Sequence, residues 1–126
     1  MPLKALPIAI AALAAIPGGS SDALAQPASA PGYVGRWAAE ASWCRNRPGT
    51  TDELPIRLTA RGMEGMENSC RFTRIEGASP EWRVARTCQV EGMTQRDRIV
   101  LRREGNSLRI TYRGPANDSV LYVRCP

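Results

Sequence analysis

The chain has 126 residues, with 17 basic and 12 acidic side chains, no histidine and four cysteines. Setting aside an export signal leaves about 100 residues, enough for one domain. Without histidine there is no Ser/His/Asp or Cys/His nucleophile, no histidine-ligated metal site and no imidazole proton shuttle, which excludes most common hydrolase chemistry.

Residues 1–25 read as a signal peptide. Lys4 precedes an apolar run over residues 5–16, Pro17-Gly18-Gly19 breaks the helix, and Ala23-Leu24-Ala25 places small residues where signal peptidase requires them. Cleavage is expected after Ala25. The apolar run is too short for an anchor, since a bilayer span needs about 20 apolar residues, so no transmembrane segment is expected. Loss of Lys4 and Asp22 leaves 16 arginines against 11 acids. A periplasmic or secreted location follows, where the four cysteines should be paired.

Residues 26–33, Gln-Pro-Ala-Ser-Ala-Pro-Gly-Tyr, form a Pro/Ala/Ser stretch expected to be a flexible arm that buries nothing. Residues 34–126 are expected to form a single β domain. Leu54-Pro55-Ile56-Arg57-Leu58-Thr59-Ala60 alternates with period two, as do Trp82-Arg83-Val84, Leu108-Arg109-Ile110-Thr111-Tyr112 and, with weaker contrast, Val120-Leu121-Tyr122-Val123. Turn residues separate them at Arg47-Pro48-Gly49, Glu76-Gly77-Ala78-Ser79-Pro80, Gly105-Asn106 and Gly114-Pro115-Ala116-Asn117. No helical period runs unbroken through the mature chain. The expected fold is all-β, a small up-and-down barrel of about seven or eight short strands with two disulfides, with a two-sheet sandwich as the alternative.

A two-residue turn at Gly105-Asn106 would set Glu104 opposite Ser107, Arg102 opposite Arg109, Leu101 opposite Ile110, Ile99 opposite Tyr112 and Arg98 opposite Arg113. One face of this hairpin is then apolar and the other mostly arginine. A four-residue loop over residues 114–117 would continue the register with Asp118 opposite Arg113 and Tyr122 opposite Arg109. Leu121, Val123 and Cys125 would then join the apolar side.

Four cysteines allow three pairings, which spacing alone does not separate. Cys70 and Cys88 lie almost symmetrically about the turn before Glu81, which would set them opposite each other on adjacent strands and leave Cys44 to pair with Cys125. With no Cys-x-x-Cys and no histidine, neither a redox pair nor a metal site is expected, and no cofactor is called for.

Gly35-Arg36-Trp37 opens the first strand and Arg124 lies on the last, one residue before the final cysteine. This resembles the signature of the calycin barrels, which include the lipocalins and the small periplasmic inhibitors of secreted metalloproteases. The resemblance implies that Trp37 caps the closed end of a barrel and that Arg124 stacks across it. The mature length is similar to that of the metalloprotease inhibitors, and implies that the arm at residues 26–33 could enter a protease cleft. Those inhibitors carry one disulfide where this chain has cysteines for two. The chain also resembles small arginine-rich exported proteins of alphaproteobacteria with four cysteines.

The arginine face, Arg98, Arg102, Arg109 and Arg113 with Tyr122 among them and Arg124 nearby, is the candidate anion-binding site. Like charges opposed on a sheet are unfavourable and call for compensation. That could come from an anionic partner, either a carboxylate-bearing envelope protein or an acidic glycan or phosphorylated lipid headgroup, for which guanidinium forks give bidentate contacts. The plainer reading is a solvated face neutralised by Asp118, Glu104 and strand neighbours. Nucleic acid suits the charge, but export makes it an unexpected partner. Glu64 and Glu67 lie in a tandem Gly-Met-Glu turn with nothing apolar to desolvate them, so no catalytic acid pair is expected. Met63, Met66 and Met93 are soft ligands in principle but read as packing, and Trp43, Phe72 and Trp82 read as core. The functional expectation is a non-enzymatic envelope binding protein, with a protease inhibitor acting through its arm as the alternative. Oligomeric state is not encoded in any recognisable feature.

Overall fold

The computed structural model describes residues 2–4, 30–114 and 117–126. The expected signal peptide, apart from three exposed residues, and residues 26–29 of the expected arm lie outside them.

Eight antiparallel strands run in chain order around a closed barrel, each paired with the next and the last with the first. They are β1 (Gly35–Ala38), β2 (Ile56–Thr59), β3 (Gly62–Glu64), β4 (Asn68–Ala78), β5 (Glu81–Val90), β6 (Met93–Glu104), β7 (Ser107–Arg113) and β8 (Asp118–Arg124). Closure comes from Trp37 opposite Arg124 and Ala38 opposite Val123, which removes the exposed edges of an open sheet. A single 3-10 turn, Ala41–Arg45, follows β1. No helix among the described residues is long and apolar enough to cross a membrane.

Alternation along the strands sends Trp82 and Val84 of β5, Ile99 and Leu101 of β6, and Leu108 and Ile110 of β7 inward, where each is at most 5% exposed. Leu58, Phe72 and Trp37 complete this filling. An eight-stranded barrel is just wide enough to be packed by its own side chains. Burial of each aliphatic or aromatic side chain contributes roughly 1.5–3 kcal/mol.

Both disulfides form as the sequence suggests, Cys44 to Cys125 and Cys70 to Cys88. The second depends on an irregularity the sequence does not announce. Pairing from the Ser79-Pro80 turn runs regularly to Arg74 opposite Ala85, then shifts by one, so that Phe72 faces Arg86 and Cys70 faces Cys88. Thr73 is the extra residue of this bulge. Without it Cys70 would face Gln89.

The β6–β7 hairpin has the expected register, with Arg102 opposite Arg109 and Arg98 opposite Arg113, around a Gly105 in the left-handed region at φ 61°. The β7–β8 register differs from expectation by one residue. Tyr112 faces Asp118, Ile110 faces Val120 and Leu108 faces Tyr122, so the connection holds five residues and not four. Asn117, at φ 45°, takes the left-handed turn that absorbs the extra residue. The faces of β8 are therefore exchanged. Val120 and Tyr122 turn inward, and Leu121 is 43% exposed.

Two further expectations are corrected. Tyr33, read as part of an arm that buries nothing, is fully buried, donates its hydroxyl to the Ala60 carbonyl at 2.6 Å and meets Trp82 edge to face at 5.0 Å. Gly32 is also held, its carbonyl accepting from Arg103 Nη1 at 2.6 Å. Trp43, expected in the core, is half-buried on the 3-10 turn and lies outside the core cluster.

Candidate anion-binding groove

Strand pairing brings together outward side chains that are distant in sequence. Across β4, β5, β6 and β7 one rank reads Arg74, Ala85, Arg98, Arg113, and the next reads Arg71, Thr87, Arg96. The small residues Ala85 and Thr87 fall on the middle strand, between arginines on both neighbours. Strands lie about 4.8 Å apart, so the β4 and β6 walls stand roughly 10 Å from each other. The result is a concavity of about 670 Å³, floored by Ala85, Thr87 and Thr73, walled by Arg71, Arg96, Arg98 and Arg113, and bordered also by the Arg86–Asp97 pair. Thr73 closes the floor by donating its hydroxyl to the Ala85 carbonyl at 3.2 Å.

Charge pairing divides the arginine face. Arg109 binds Glu104 at 2.7 Å and Arg102 lies 3.5 Å from Glu81, so these two are neutralised at one end of the sheet. Arg74 binds Glu76 at 2.7 Å. Among the described residues Arg71, Arg96, Arg98 and Arg113 have no carboxylate within ion-pair distance. Asp118, expected beside Arg113, instead faces Tyr112. Asp97 lies between Arg96 and Arg98 in sequence but points inward, where Arg86 holds both its oxygens at 2.6 and 2.8 Å.

Tyr122 and Arg124 do not belong to this outer face. The Tyr122 hydroxyl sits 2.9 Å from that of Tyr112 inside the barrel. Burial, reinforced by the neighbouring Tyr122 hydroxyl, pushes the Tyr112 phenol far above its ordinary value. Arg86 lies over the Tyr112 ring at 5.4 Å, and its Nη1 donates to Met63 Sδ at 3.2 Å. That contact places Met63 in the interior, while Met66 and Met93 are exposed.

Gly35, Trp37 and Arg124 do meet. The Arg124 guanidinium lies 5.1 Å from the Trp37 ring, and Arg103 also approaches that ring at 5.3 Å. Trp37 Nε1 donates to the Tyr33 carbonyl at 2.8 Å. At Gly35 a side chain would press on Arg124 Nη2 at 3.2 Å, and its φ of 149° suits glycine alone. No buried side-chain polar atom of this cluster lacks a partner, and the Arg124 guanidinium also donates to the Val34 carbonyl at 3.1 Å.

Of the predicted anion-binding residues, the structure places Arg98 and Arg113 in the groove and Arg102 and Arg109 in ion pairs beside it. Arg71 and Arg96 are groove residues that the sequence alone did not single out. Their signal was present in Glu91-Gly92, a two-residue turn with both residues left-handed at φ 49° and 77°. Extending the hairpin back from that turn sets Thr87 opposite Arg96 and Ala85 opposite Arg98.

No protein-family model matches the chain, and no curated protein or solved structure matches it significantly.

Proposed function

We propose that this protein is a non-enzymatic binding protein of the cell envelope, periplasmic or secreted, that takes an anionic partner in the arginine groove of β4–β7. The observation that carries this reading is Arg98 directly opposite Arg113, with Arg71 and Arg96 beside them and, among the described residues, no carboxylate within ion-pair distance of any of the four, the one acid of the lining, Asp97, being held by Arg86. Directly opposed like charges destabilise a sheet, whereas a bound oxyanion converts that repulsion into charge-assisted hydrogen bonds. Arginine is suited to this because its planar fork meets an oxyanion bidentately and stays charged at any relevant pH. Two disulfides and a signal-like leader support an oxidising compartment. A non-catalytic role is supported by the absence of histidine from the sequence and of a free cysteine in the structure.

The test compares two variants of identical net charge on a phosphocellulose column. Arg98→Glu with Arg113→Glu reverses the groove, and Arg102→Glu with Arg109→Glu reverses the paired arginines next to it. The first should elute at clearly lower salt than the second. Equal elution would mean that overall charge, and not the groove, governs binding, and would overturn the reading.

A further inference from the structure

The groove does not end at its four unpaired arginines. Towards the Ser69 end of β4 a smaller hollow bounded by Ser69, Arg71, Thr87 and Gln89 adjoins it, sharing Arg71 and Thr87. In the other direction lies a hollow of about 250 Å³ bounded by Arg74, Arg83, Ala85, Arg98 and Arg113, of which the last three are shared. All three lie end to end along the outer face of β5, from Gln89 to Arg83. The six steps between these residues make this track about 20 Å long. Two arginine ranks cross it, Arg71 with Arg96 at Thr87 and Arg74 with Arg98 and Arg113 at Ala85, about 7 Å apart, and Arg83 stands one rung beyond them.

The chemistry of the track is as one-sided as its shape. Guanidinium groups donate and never accept, and the neutral acceptors of the lining are the few hydroxyls of Ser69, Thr73 and Thr87, far outnumbered by guanidinium N–H groups. The carboxylates bordering the track are already held, Asp97 by Arg86 and Glu76 by Arg74 at 2.7 Å with Arg83 at 3.9 Å, so Arg83 is only loosely engaged. The Gln89 side chain exchanges hydrogen bonds with Thr94. No residue lining any of the three hollows is aromatic. A glycan brings hydroxyl donors that need acceptors, and a peptide brings N–H donors. Nucleic-acid bases require stacking platforms. An acceptor-only chain of tetrahedral oxyanions requires none of these.

From this we infer that the ligand is a linear phosphate chain lying along β5 and spanning both arginine ranks as far as Arg83, and not a single headgroup, an acidic peptide or a uronic-acid glycan. This inference rests on the groove being the binding site.

The experiment titrates the purified protein with long-chain inorganic polyphosphate, pyrophosphate, poly-glutamate and polygalacturonate at matched anionic charge. Linked contacts should make polyphosphate at least about tenfold tighter per phosphate than pyrophosphate. Its log K should fall with log salt at a slope of about −3 for four engaged arginines. Arg71→Gln with Arg96→Gln at one end, and Arg83→Gln at the other, should each weaken polyphosphate more than pyrophosphate. Pyrophosphate binding as tightly as the chain, or loss confined to Arg98→Gln and Arg113→Gln, would overturn the linear ligand and leave the groove intact as a binding site. Poly-glutamate or polygalacturonate matching polyphosphate would overturn the phosphate assignment alone. Binding of none of the four would overturn both the inference and the groove.

Discussion

Arg86 and Asp97 face each other across β5 and β6 with two hydrogen bonds of 2.6 and 2.8 Å, and Arg86 is only 7% exposed. Asp97 separates two outward arginines and borders the groove, but both its oxygens are committed to Arg86, so it neutralises that guanidinium and not the groove arginines. The same side chain thus links the stability of the interior to the electrostatics of the outer face.

Arg86 is buried whereas Asp97 is 37% exposed, so removing the carboxylate strands a buried guanidinium. Asp97→Val should destabilise the fold by about 2 kcal/mol, and Arg86→Leu with Asp97→Val should cost less than either single change. Urea denaturation of the three variants checks the order. A double variant less stable than both singles would mean that the pair acts through more than its charge.

The disulfides close segments of very different length. Cys44 and Cys125 are 81 residues apart and Cys70 and Cys88 are 18 apart. In the chain-entropy model these closures contribute about 4.5 and about 3.2 kcal/mol, a large share of the stability of a small domain. Cys44→Ser with Cys125→Ser should therefore lower the melting temperature more than Cys70→Ser with Cys88→Ser, as measured by circular dichroism.

Tyr112 predicts how the fold responds to alkali. Its phenol keeps its proton in the barrel beyond pH 10.0, the value at which the unfolded chain begins to release it. The unfolded state then binds fewer protons, so stability is intact below pH 10 and declines above it, by up to about 1.4 kcal/mol per pH unit for each such tyrosine. Tyr33, also shifted upward by burial, adds to the decline. Tyr112→Phe should cost about 1 kcal/mol at pH 7 through the lost hydroxyl pair, yet flatten the loss between pH 10 and 11. Denaturant midpoints at the two pH values give the comparison.

Tyr33 and Gly32 belong to the folded domain, although the sequence reads them as part of an arm. Tyr33→Ala should cost about 4 kcal/mol, as for a large aromatic removed from a core. Deleting residues 26–30 should leave the denaturant midpoint within about 0.5 kcal/mol of the parent, as expected where no packing is lost. A comparable loss from that deletion would place part of the segment in the fold.

What could be read from the sequence depended on how firmly local chemistry fixed the geometry. Gly105-Asn106 left one way to pair β6 with β7, and the arginine opposition followed from it. β8 offered no such constraint. Val120, Leu121, Tyr122 and Val123 are all apolar, so either face could have been buried, and a loop one residue longer inverted the outcome. Two contacts favour the observed face, the Tyr122 hydroxyl on Tyr112 and the Arg124 guanidinium over Trp37, since positions 122 and 124 must point the same way. The groove was harder to see because its walls come from four strands, and the Thr73 bulge that sets β4 against β5 leaves no mark in the residue pattern. Tyr33 was hidden by its company, since a Pro/Ala/Ser stretch gives no sign that its last residue is a core aromatic.

Amide chemical shifts of isotopically labelled protein, followed as pyrophosphate is added, would locate the binding surface directly. The groove predicts perturbations concentrated at Thr73, Ala85, Thr87, Arg96 and Arg98, weakening as salt is raised and charges are screened over about 8 Å. Shifts centred instead on Arg102, Glu104 and Arg109, or spread evenly over the arginines of the barrel, would contradict it.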